Sequence, residues 1–249
     1  MLLRVFDGLS NDELGRLLER FDSLHLMRSS AGALVGLNSF RFVDVTPRGF
    51  TKPVTVLNHF AGILPQHRGG HSVMSYLVRE GLRFKLAHPR RRFFYFCRFI
   101  HPSPYRLFVK YGPSPYPSPR FSRSEEMNEI VVALAEELGY AIERNASGHH
   151  VARPAFRVRE EKAGAERYLR DDEITRFFVE QCPRYREGQG LMVLMPLGAR
   201  ATWEIPARVL TEAARRRLRR AGSARRAPLE ALELPHLPAQ PPDEAADHP

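Results

Sequence analysis

A chain of 249 residues can hold one large domain or two small ones; 43% hydrophobic and 10% aromatic residues supply a real core and exclude wholesale disorder. No apolar run approaches the roughly 18 residues of a membrane span, and the start, Met1-Leu2-Leu3-Arg4-Val5-Phe6-Asp7, lacks the pattern of a signal peptide, so a cytoplasmic protein without membrane contact is expected. The formal charge of +10, from 38 basic against 28 acidic residues with only four lysines, puts the excess on arginine, which bonds phosphate bidentately and stacks on bases.

Along the chain, Ser10-Asn11-Asp12-Glu13 reads as a capping box opening an amphipathic helix through Leu14, Leu17, Leu18 and Phe21. Residues 40–45 alternate as a strand should. The apolar stretch 54–64 reads as a short helix, and Gly69-Gly70 separates it from a second helix over 72–80 that Gly81 stops. Residues 82–86, 92–100 and 105–111 then read as strands of an antiparallel meander. Residues 77–95 and 135–153 share a layout of helix end, glycine, strand, turn and strand, with Gly81 matching Gly139, which suggests an internal duplication.

Residues 112–119 place proline at every second position and read as a stiff polyproline linker. A domain boundary is expected there. The second unit opens on another capping pattern, Ser122-Arg123-Ser124-Glu125, with Met127, Ile130, Val131, Leu134 and Leu138 at helical spacing. A strand pair around the Ser147-Gly148-His149-His150 turn follows, then a third strand at 156–158 and a helix capped by Asp171 or Asp172. Residues 191–195 and 201–205 suggest a hairpin, and Pro206 begins a last helix bearing Arg215, Arg216, Arg217, Arg219 and Arg220. From Ser223 onward the composition is that of a disordered tail.

The expected fold class is therefore α+β, in two small units with antiparallel sheets packed against helices. The units are residues 1–111 and 122–222, joined by the linker 112–121 and followed by the tail 223–249.

Cys97 and Cys182 stand far apart without companions at metal-ligand spacing, so two reduced thiols are expected, and neither a metal nor another cofactor. Glu160-Glu161-Lys162 lacks the upstream acid that a metal nuclease needs, and the glycines inside His67-x-x-x-His71 disfavour a helical ligand pair. Arg90, Arg91 and Arg92 beside Phe93, Phe94, Tyr95 and Phe96 combine phosphate contacts with stacking surfaces, the arrangement that single-stranded nucleic acids favour. Arg144, Arg153 and the five C-terminal arginines would extend that grip. Nucleic-acid binding, with RNA ahead of DNA, is the leading functional expectation. A scaffold that binds acidic partners is the expectation of a different class.

In order and spacing, residues 124–182 resemble the HicA-type mRNA interferase toxins. The carriers of the likeness are the helix ending in Leu138-Gly139-Tyr140, two strands around Ser147-Gly148-His149-His150, a third strand, and a closing helix. The resemblance implies a double-stranded-RNA-binding-domain-like fold and a catalytic histidine at His149 or His150, although the element reads Ser-Gly-His-His where the family has Gly-Ser-His. A metal-independent ribonuclease is thus the sharper alternative, with Arg144 and Arg153 as the cations beside the phosphate.

Overall fold

The computed structural model describes residues 1–68, 72–159 and 172–198, all within one compact unit. The Ser10 box forms as read: its side chain accepts from the Glu13 backbone while Glu13 reaches back, and helix α1 runs Asn11–Leu18. Strands β2 (Ser23–Arg28), β3 (Leu34–Val45) and β4 (Val54–Ile63) follow as an antiparallel run. Helix α2 (Ser72–Ala87) crosses over to β5 (Phe93–Phe99), which lies parallel to β4. Helix α3 (Pro102–Tyr111), helix α4 (Glu125–Leu138), strands β6 (Ile142–Arg144) and β7 (His150–Ala152), helix α5 (Glu173–Gln181) and strand β9 (Gly190–Pro196) complete the main body.

Among the described residues seven strands form one mixed sheet in the order β2-β3-β4-β5-β9-β7-β6, and the short strands β1 (Phe6–Asp7) and β8 (Arg157–Val158) pair apart from it. The fold class is α+β. Beneath one face, Leu77 of α2, Tyr105 and Phe108 of α3 and Phe178 of α5 pack on Leu57, Phe93, Tyr95, Leu191 and Val193. Over the other, Met127, Ile130, Val131 and Leu134 of α4 pack on Val54, Val56, Phe94, Phe96 and Leu194. Coverage on both sides explains why β4, β5 and β9 are almost wholly apolar runs, since neither parity of side chains reaches water. Each large side chain so buried contributes about 1.5–3 kcal/mol.

Several sequence expectations need correction. The stretch 54–64 is a central strand, because a short apolar run buried on both faces carries no period to tell strand from helix. Helix α2 continues through Gly81 into 82–86, so the alternation there is not that of a strand, and the layout proposed as a duplication with 135–153 is not shared. Residues 105–111 are helical: Pro102 sits in the first turn, and His101 caps it by accepting from the Ser103 backbone at 3.2 Å. Around α4 the cap is Ser124, not Ser122, and Gly139 ends the helix at φ 68°, a left-handed conformation suited to glycine. Asp172 caps α5 as expected.

The expected boundary at 112–121 does not divide the structure. Tyr116 is buried and exchanges backbone hydrogen bonds with Leu194 of β9, so the proline-rich segment is a strap laid on the sheet. The strands on either side of it share that sheet, which the parallel β4–β5 pair also makes mixed instead of antiparallel. The second hairpin strand at 201–205, the arginine helix after Pro206 and the tail lie outside the described residues. No described helix is long and apolar enough to cross a membrane.

Candidate functional site

Among the described residues, two places bring chemistry-bearing side chains together: the corner around His149 and the fork where β4 and β5 part. The corner is built by a local turn. Asn145 Oδ1 accepts from the Ser147 and His149 backbone N–H groups at 3.0 and 2.9 Å, and Gly148 takes φ 83° between them. His149 is thereby turned inward, with its Nδ1 2.7 Å from Gln181 Oε1 and its Nε2 2.6 Å from the Ser122 carbonyl. Both ring nitrogens are engaged, which leaves neither free to take a proton from a substrate while these bonds hold.

His150 faces the opposite side, as strand neighbours do, and is also buried. Neither of its ring nitrogens finds a hydrogen-bond partner, and burial together with the nearby Arg144 lowers its pKa. The structure therefore does not assemble an exposed acid/base histidine from this pair.

The arginines are mostly spoken for. Arg91 Nη1 lies 2.7 Å from Asp44, Arg92 pairs with Glu126, and Arg153 faces Glu143 at 4.0 Å. Arg90 and Arg144 are exposed, and Arg215, Arg216, Arg217, Arg219 and Arg220 lie outside the described residues. The expected stacking platform is absent, because Phe93, Phe94, Tyr95 and Phe96 are all core. Strand alternation sends them to two helical layers, and none reaches solvent.

The fork escaped sequence reading. β4 and β5 hydrogen-bond in register from Thr55–Phe93 only to Asn58–Phe96, while β4 continues beside β3 to Ile63 and β5 beside β9 to Phe99. At its root stand His59, Tyr95 and Cys97, with Asn38 from β3. The Tyr95 hydroxyl donates to His59 Nδ1 at 2.7 Å, leaving Nε2–H to donate to Asn38 Oδ1 at 3.4 Å. Phe40 stacks on the imidazole at 4.9 Å. Burial holds His59 down to about 3 and pushes the Cys97 thiol up to about 12. These groups are neutral and mutually satisfied, so the root is rigid, not reactive. Asn58-His59 inside an otherwise apolar run was the available signal: a polar pair buried there needs partners.

Beyond the root, β8 and the N-terminal segment close over the other face. Arg98 of β5 lies 4.5 Å over the Phe156 ring, and its Nη2 is buried without an acceptor. Among the described residues no group of histidine, cysteine and carboxylate side chains is arranged to hold a metal ion.

No family model matches the chain, and no curated protein matches it. Among solved structures it is similar to a crystal structure of "a putative phosphinothricin N-acetyltransferase", at 18% identity over 47% of this chain and 73% of that one. The TM-score is 0.30, a likeness too distant to assign a fold or an activity.

Proposed function

We propose that the chain binds an extended, phosphate-bearing ligand of the coenzyme A type in the fork between β4 and β5. The observation that carries this reading is the parting of two parallel strands inside a continuous sheet after only four register pairs. A sheet does not part without exposing backbone donors and acceptors that call for partners. A ligand carrying amides in line can supply them in the manner of an added strand. In sheets with parallel pairs, ligands settle outside the carboxyl ends of the strands, where the topology changes.

The crossover supplies the other end of the ligand. After β4 the crossover enters α2, whose N-terminus is at Ser72. Such a terminus favours negative charge, and Arg68, whose Nε donates to the Ile63 carbonyl, adds a cation at the end of β4. Coenzyme A joins a diphosphate to an arm with two amides and a thiol, matching both features. Acyl transfer from the thioester is the reaction class that such binding would serve.

Calorimetric titration tests the reading directly. Coenzyme A should bind with micromolar affinity, adenosine diphosphate more weakly, and Arg68→Glu should lose at least about tenfold. Absence of binding by coenzyme A and its acetyl thioester would overturn it.

Nucleic-acid binding is the second reading, supported by the +10 charge and the exposed Arg90 and Arg144. It is tested by whether affinity for a single-stranded RNA falls steeply with salt.

A further inference from the structure

A cleft of about 460 Å³ opens between the start of α4 and the β6–β7 turn, lined among others by Ser122, Arg123, Ser124, Arg144, Ser147 and His149. We infer that this cleft is a binding site for a phosphate monoester dianion, held by Arg123 and Arg144 with His149 in its wall.

Charge is the first argument. Arg41, Arg91, Arg92, Arg106, Arg153 and Arg159 each face a carboxylate. Among the described residues, Arg123 and Arg144 have no ion pair and no side-chain hydrogen bond, although Glu125 lines the same cleft. Two cations from different elements converge on one space and stay unmatched.

The second argument is the hydrogen-bond network behind them. Asn145 Oδ1 accepts from two backbone N–H groups, so that amide cannot be turned round. Its Nδ2 therefore donates to Gln181 Oε1 at 3.0 Å, which fixes the Gln181 amide in turn. His149 Nδ1 meets that same oxygen and Nε2 meets the Ser122 carbonyl, which ties the ring, only 3% exposed, to both walls of the cleft.

Arg123 and Arg144 set two guanidinium groups against the single carboxylate of Glu125. A phosphate monoester carries nearly two negative charges at neutral pH, one for each guanidinium, whereas a phosphodiester carries one. The Ser122, Ser124 and Ser147 hydroxyls add donors suited to its oxygens. Ser124 Oγ accepts from the Met127 backbone, and its own O–H remains to donate. The shared chemistry is an oxyanion of phosphorus, whether free or terminal on a larger molecule.

The test uses the full chain at constant ionic strength, with inorganic phosphate, a 5′-phosphorylated RNA dodecamer and the same dodecamer without its phosphate. Phosphate and the phosphorylated strand should bind, and Arg123→Gln and Arg144→Gln should each weaken both by at least about tenfold. Glu125→Gln should tighten them. Dephospho-coenzyme A, which keeps the diphosphate and the amide arm but has no phosphate monoester, should bind at the fork unchanged in all three variants, which separates this site from that one. Phosphate binding that survives the Arg123→Gln/Arg144→Gln double variant would overturn the assignment. So would equal binding of both dodecamers, which would mark the cleft as a phosphodiester contact.

Discussion

His59 and His149 are buried to nearly the same degree, 6% and 3% exposed, and both ring nitrogens of each are within reach of a polar atom. What differs is the character of those atoms. At His59 one partner is a tyrosine hydroxyl, which donates as readily as it accepts, so a neutral ring satisfies the set. At His149 both partners are carbonyl oxygens, which only accept. At equal depth, then, the two rings differ in the chemistry of the atoms that hold them.

That contrast can be broken by removing either ring. His149→Ala deletes two short bonds that join the approach to α4 with the end of α5, and leaves the Ser122 carbonyl without its donor. Urea denaturation should show a loss of roughly 4 kcal/mol; a loss under about 1 would mean that the corner is held by packing alone.

Acid bears on the His59 ring. The folded pKa of His59, about 3, lies below its ordinary 6.5. Above 6.5 neither state binds the proton. As the pH falls toward 3 the unfolded chain takes it up first, so the folded state loses up to about 1.4 kcal/mol per pH unit across that window. His101, held near 4 by burial, acts with the same sign. Unfolding free energies measured from pH 7 to 4.5 should therefore decline, and His59→Asn should flatten that decline without abolishing it. A slope identical in the variant would show that His59 does not carry this share.

Tyr95→Phe sharpens the comparison from the partner's side. It removes the hydroxyl that lets His59 stay neutral and leaves a buried ring nitrogen facing no donor. A cost of about 1–2 kcal/mol is expected by the same denaturation assay. The smallest effect belongs to the surface: Arg92→Ala breaks a half-exposed pair with Glu126 and should move stability by less than about 1 kcal/mol, with the difference fading in high salt.

Much of the local structure was legible because its causes are local. Ser10 with Glu13, the apolar face of α4, Gly139 and the Asp172 cap all act within one or two turns of chain. The misread elements have distant causes. Residues 54–63 are a strand because β3, β5 and helices on both faces enclose them, and nothing within the run says so. The alternation of 82–86 and 105–111 matched a strand, yet both segments lie in helices whose buried residues, such as Tyr105 and Phe108, are three apart and meet the core together.

The candidate sites were less legible still. Arginine content was visible, but which arginines face carboxylates depends on pairs such as Arg91–Asp44, 47 residues apart in sequence. The fork joins residues of β3, β4 and β5, and only the assembled sheet reveals where two strands stop bonding.

The strap over 112–121 carries one more consequence. Tyr105 of α3 donates to the Pro117 carbonyl, and Tyr116 donates to Asn128 of α4, so the strap is tied to helices lying on opposite faces of the sheet. A protease cut within it should not release two independently folded fragments: the halves would stay associated or lose structure together. Melting of the intact molecule should accordingly be one cooperative event, with probes on α3 and on α4 reporting the same midpoint.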